Sequence, residues 1–122
     1  MKKIIVILML LFMFGCEEII NEQNITYDTI DLLAPSENVI LKTGTAITFN
    51  WQTLNGATEY QFQIAEPNFN SANQIAMDTL LQRRIDFSID SLAANTYEWR
   101  VKALNSAYET VYTTNGFVVE KE

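Results

Sequence analysis

The sequence predicts an all-β chain, a two-sheet antiparallel sandwich of about seven strands that follows a short N-terminal signal. Three observations predict it. From Thr96 to Leu104 the chain alternates with a period of two: Tyr97, Trp99, Val101 and Ala103 fall on one side, and Glu98, Arg100 and Lys102 on the other. That is the pattern of a strand with one buried face. Between Ile30 and Glu120 shorter runs of the same kind recur, separated by turn residues, at the spacing a sandwich needs. After the signal, no stretch repeats its apolar residues at helical spacing.

Residues 1–15 form the signal. Lys2 and Lys3 precede an unbroken apolar run, Ile4 to Phe14, of eleven residues. As a helix it would rise only about 16 Å, half of the ~30 Å hydrocarbon layer of a membrane. Gly15-Cys16 follows directly. Apolar residues, a small residue and then cysteine resemble the lipobox of bacterial lipoproteins, although Met13 and Phe14 depart from its usual residues. The resemblance implies cleavage before Cys16 and lipidation of its thiol and new amine. It also implies anchorage in a membrane, and the acidic Glu17-Glu18 pair resembles the signal that sends some lipoproteins of diderm bacteria to the outside of the outer membrane. Residues 16–29 then read as an acidic tether reaching at most about 45 Å.

Composition narrows the function further. The chain carries a net charge of −7, and without Lys2 and Lys3 six basic side chains face fifteen acidic ones, a net −9. Such a polyanion is repelled by nucleic acid and by anionic lipid surfaces. There is no histidine, and Cys16 is the single cysteine. The commonest general base is therefore missing, and an intrachain disulfide is impossible.

The strands follow in order. Ile30 to Leu33 reads as a first edge strand ended by Pro35, and Val39 to Leu41 as its continuation. Ile47, Phe49 and Trp51 share one face of the next strand, and Asn55-Gly56 marks a tight turn. Tyr60, Phe62 and Ile64 face inward from the third run, and a loop from Glu66 to Asn73 follows. Gln74 to Leu81 is a weaker strand. Arg84 to Asp90 is a clearer one, with Ile85, Phe87 and Ile89 inward. After the Tyr97 strand, Asn105 to Glu109 turns the chain. In the last strand, Thr110 to Glu120, the apolar parity changes at Asn115-Gly116, as at a β-bulge.

Phe49-Asn50-Trp51, the run Gly56 to Ala65, Leu92 with Thr96 to Asn105, and Phe117-Val118-Val119 occur in that order. Together they resemble a bacterial fibronectin type III domain over residues 30–120. The resemblance implies that Trp51 is the core tryptophan of the second strand and that Tyr60 lies inward on the third. It further implies that Tyr97, after Leu92 and a short turn, is the corner tyrosine whose hydroxyl bonds upstream backbone. It also sends the strands flanking Asn55-Gly56 to different sheets, where local turn rules alone suggest a hairpin.

No catalytic constellation is visible. Asp86 and Asp90 are ~13 Å apart on an extended strand, too far for a glycosidase pair, and no phosphate loop, calcium loop or metal-ligand motif occurs. The chain is expected to be no enzyme and to need no cofactor or metal. Trp51 and Trp99 fall on inward parity and belong to the core. Tyr108, in the Asn105–Glu109 turn, is the candidate for binding, and Phe69 is either a plug under its loop or a second contact. Arg83-Arg84 reads as edge-strand protection. The expected role is a lipid-anchored binding or assembly module for another cell-envelope protein. The alternative is a carbohydrate-capture accessory lipoprotein with Tyr108 and Phe69 as the glycan platform; a spacer without a ligand is a third reading.

Overall fold

The computed structural model describes residues 22–71 and 73–122; the signal segment, Cys16 and the first part of the tether lie outside them. Among the described residues eight strands run in order: β1 Leu32–Ala34, β2 Val39–Lys42, β3 Ile47–Trp51, β4 Glu59–Glu66, β5 Gln74–Gln82, β6 Asp86–Ile89, β7 Asn95–Leu104 and β8 Thr113–Glu120. They form a three-stranded sheet, β1-β3-β6, and a five-stranded sheet, β2-β8-β7-β4-β5. The two strands flanking Asn55-Gly56, β3 and β4, lie in different sheets. The tight turn still forms, with Ala57 N–H bonded to the Leu54 carbonyl at 3.1 Å and Gly56 at a φ of 90°, a conformation that favours glycine.

The alternating residues of β3, β4, β7 and β8 meet between the sheets. Phe49 lies edge-on to Phe62, Trp99 and Phe117, at centroid distances of 5.1, 5.2 and 5.8 Å. Trp51 stacks on Phe62 at 5.9 Å, and Tyr97 on Phe117 at 5.4 Å. Edge-on and tilted contacts bring positive ring edges to negative faces, so the aromatic centre gains electrostatic as well as apolar cohesion.

Three sequence expectations change. First, Val39 to Leu41 does not continue the first strand. β1 pairs antiparallel with β3, whereas β2 pairs parallel with β8, Val39 facing Phe117 and Leu41 facing Val119. Pro35 lacks an N–H for the ladder, and Asn38, at a φ of 64°, turns the chain and donates its N–H to the Gly116 carbonyl at 2.8 Å. The strand is thereby handed from one sheet to the other, and one strand pair of the sandwich is parallel.

Second, β8 contains no bulge at Asn115-Gly116: its register with β7 runs unbroken from Asn95–Val119 to Val101–Thr113. Thr113 and Asn115 occupy inward parity ahead of Phe117 and Val119, and Tyr112 and Thr114 face out. The change of apolar parity records an outward-facing aromatic, not an extra residue. The irregularities fall instead between Ile64 and Ala65 on β4 and between Leu32 and Ala34 on β1.

Third, the last part of the tether is laid on the domain. Ile25 is fully buried and Ile30 nearly so, both within the core. Asn105 Nδ2 donates to the Gln23 carbonyl at 2.7 Å and to that of Gly56 at 3.1 Å. The loops β3–β4 and β7–β8 leave an end of the sandwich open, and the segment around Ile25 closes it with apolar surface.

Candidate functional site

The outer face of the five-stranded sheet carries the polar parity of β7: Glu98, Arg100 and Lys102. Arg100 sits opposite Gln63 of β4 and Thr114 of β8, and its Nε donates to Gln63 Oε1 at 2.8 Å. The β4–β5 loop folds back over this face. Asn68 Oδ1 accepts from the backbone N–H and the hydroxyl of Ser71, and Phe69 N–H is held by Glu98 Oε1 at 2.9 Å. That places the Phe69 ring 3.9 Å from the Arg100 guanidinium carbon. Tyr112, just before β8, covers the other side at 4.0 Å. Lys102 Nζ lies 4.9 Å from the same tyrosine ring and 3.5 Å from Glu109.

The result is a row of alternating aromatic rings and cations across a solvent-facing sheet. Each cation–π contact at such a site contributes about 0.5–1 kcal/mol. The chemical consequence is that a flexible arginine is held still. Among the described residues, the terminal amino groups of Arg100 have no protein acceptor. A planar donor fixed between two rings suits a carboxylate or a row of carbonyls. Beside it, Gln61 bonds the Asp78 carboxylate, extending a polar surface on rigid strands.

The structure places the sequence-derived residues as follows. Trp51, Tyr60, Tyr97 and Trp99 are buried, and Leu92 packs against them from the edge. Tyr97 Oη donates to the Ala93 carbonyl at 2.7 Å; burial first, then the nearby Glu66 carboxylate, hold its pKa above the ordinary tyrosine value. Tyr60 Oη accepts from Leu54 N–H at 3.0 Å. Trp99 Nε1 donates to the Pro35 carbonyl at 3.2 Å, while Trp51 Nε1 has no partner among the described residues.

Tyr108 sits in a turn organised by Asn105, whose Oδ1 accepts from the N–H groups of Ala107 and Tyr108. Phe69 and Tyr108 are not brought together. Phe69 follows the end of β4 that pairs with Glu98, and Tyr108 follows the end of β7 that pairs with Glu59, so their loops leave opposite ends of the sheet. Nor does Phe69 plug its own loop; it stacks on Arg100. In the sequence nothing sets Arg100 apart from the other polar residues of its strand, and the one signal for Tyr112 is its outward parity beside Thr114. Cys16 lies outside the described residues. Among those described, no three histidine, cysteine or carboxylate side chains cluster closely enough to hold a metal ion.

No protein-family model matches the chain, and no curated protein matches it in sequence. Solved structures match in shape. The fn3 domain of the human collagen alpha-1(XX) chain superposes with a TM-score of 0.56 at 17% identity, covering 75% of this chain and 82% of that one. The fibronectin(III)-like modules of Clostridium thermocellum CbhA give 0.52 at 11% identity, covering 76% and 96%. FN3tt gives 0.52 at 12% identity, covering 75% and 95%. The fold is therefore of the fibronectin type III kind, and a fold of this breadth leaves the function to the site.

Proposed function

We propose that this chain is a non-catalytic, lipid-anchored module of a bacterial cell envelope that docks another envelope protein on the outer face of its five-stranded sheet. The observation carrying this reading is Arg100 set against the rings of Phe69 and Tyr112, with no acceptor for its amino groups among the described residues. Arginine and tyrosine dominate the energetics of protein interfaces because they offer large contact area and directional donors. Holding the arginine in place before contact removes an ordering cost of roughly 0.5–1.5 kcal/mol. The lipobox-like Gly15-Cys16 supports the anchorage. The glycan reading loses its support as drawn, since its two platform aromatics leave opposite ends of the sheet.

The test is co-purification from detergent-solubilised envelope with the acylated protein, comparing wild type with Arg100→Ala, Tyr112→Ala and Tyr108→Ser. A protein partner retained by wild type and Tyr108→Ser, and lost in both face variants while their circular dichroism is unchanged, supports the reading. Retention on a glycan resin without any protein partner turns it over to carbohydrate capture.

A further inference from the structure

The segment leading to Cys16 enters the domain at one defined end. Glu22 Oε1 accepts from Ser106 Oγ at 2.7 Å, the Gln23 carbonyl accepts from Asn105, and the Gln23 side chain lies against Gly56, where a Cβ would come within 2.9 Å of it. Ile25 is sunk into the core behind them. The chain is thus fixed to the β3–β4 and β7–β8 loops from Glu22 onward. Cys16 stands six residues earlier, a distance of at most about 21 Å. The ten residues of β7 span about 33 Å, so acyl chains on Cys16 cannot be shared with the opposite end of the sandwich. On the lipid-anchored reading, this puts the bilayer at the loop end that Glu22 enters.

The side chains exposed there are of a particular kind. Among the described residues, Tyr27 and Tyr108 are the exposed aromatics, at 93% and 37%, and Val111 is exposed at 67%. Tyr27 projects from the Ile25–Asp28 turn and Tyr108 from the turn built on Asn105; Val111 follows three residues later. A tyrosine ring with its hydroxyl in water and its body against apolar matter is the residue of the membrane–water boundary. Glu22 and Glu109 at this end stand with Lys102, which pairs with Glu109, and with Arg83, whose N–H donates to the Thr58 carbonyl; the chain as a whole is acidic, so the lipid it tolerates is zwitterionic, not anionic.

We propose that this end of the domain rests on the headgroup layer of the membrane that holds Cys16, with Tyr27 and Tyr108 at the lipid boundary. The proposal rests on the lipid-anchored reading above. It assigns Tyr108 to lipid contact rather than to partner recognition, and it turns the Arg100 face sideways, open to a neighbour in the same membrane.

The experiment uses the full acylated protein in vesicles of phosphatidylcholine. A single added cysteine at Thr26→Cys, Ala107→Cys or, as the far-end control, Asn70→Cys carries a fluorescent label, and a nitroxide lipid at headgroup depth is the quencher. The expected result is quenching several-fold stronger at positions 26 and 107 than at 70, unchanged in high salt and reduced when Tyr27→Ser and Tyr108→Ser are combined. Equal quenching at the three positions, or stronger quenching at 70, overturns the orientation. The intact mass separates the two readings. A chain lacking acyl groups on Cys16 ends both, whereas an acylated chain with no quenching at 26 and 107 ends the orientation alone.

Discussion

Arg100 and Tyr112 stack with the guanidinium carbon 4.0 Å from the ring centroid, joining the centre of β7 to the residue that leads into β8. Tyr112→Ala removes this contact and a ring face shared with Lys102. The expected cost to stability is about 1 kcal/mol, read as a lower denaturation midpoint with unchanged slope. Arg100→Lys is expected to fail as a substitute in partner binding. A lysine cannot present a planar donor between two rings and bond Gln63 at once.

Ile25 tests whether the segment before β1 is a tether or part of the fold. Its side chain is fully buried, so Ile25→Ala should cost about 3 kcal/mol, whereas Thr26→Ala, one residue on and exposed, should leave unfolding unchanged. Equal and small effects in denaturant titrations would return the segment to the tether.

Tyr97 sets a pH dependence. Its pKa is raised in the folded protein above an unfolded value near 10, so the folded state favours the protonated phenol. The stability linked to this group is complete below pH ~10 and is lost as pH rises through the higher folded pKa. Tyr97→Phe should cost about 1 kcal/mol at neutral pH, through loss of the bond to Ala93. It should also flatten the alkaline limb of a plot of stability against pH.

Trp51 and Trp99 are both buried but differ in hydrogen bonding. Trp99→Phe strands the Pro35 carbonyl, whereas Trp51→Phe strands nothing, because its indole N–H has no partner among the described residues. Beyond the packing loss common to both, Trp99→Phe should be the more costly by roughly 1–2 kcal/mol. Thermal unfolding of the two variants side by side measures the difference.

How much was legible in the sequence follows from what alternation reports. A period of two tells which side chains share a face, and the burial of Phe49, Trp51, Phe62 and Trp99 follows from it. Alternation does not tell which sheet receives a strand. The passage from β1 to β2 therefore read as continuation, although Pro35 was in view. Nor does it tell what an outward aromatic meets. Tyr112 looked like a slipped register because its cationic partner lies on another strand, twelve residues back. Ile25 was hidden by its neighbours: one isoleucine among Asn24, Thr26 and the acidic residues upstream forms no pattern, and its burial depends on an opening that only the assembled loops create. The Arg100 site was unreadable for a similar reason, since a residue of the polar parity gives no sign that a loop ring will fold back upon it.

The parallel pairing of β2 with β8 has a mechanical consequence. The chain enters beside Asn105, while β8 ends beside Asn95, at the far end of β7. Tension between the two ends therefore pulls β2 and β8 in opposite directions along their common axis. The backbone bonds between Val39–Lys42 and Phe117–Glu120 then share the load together and must slide to break, where a hairpin pulled from its open end would unzip one bond at a time. A domain held at one end and drawn from the other is strongest along the line in which its strands already run.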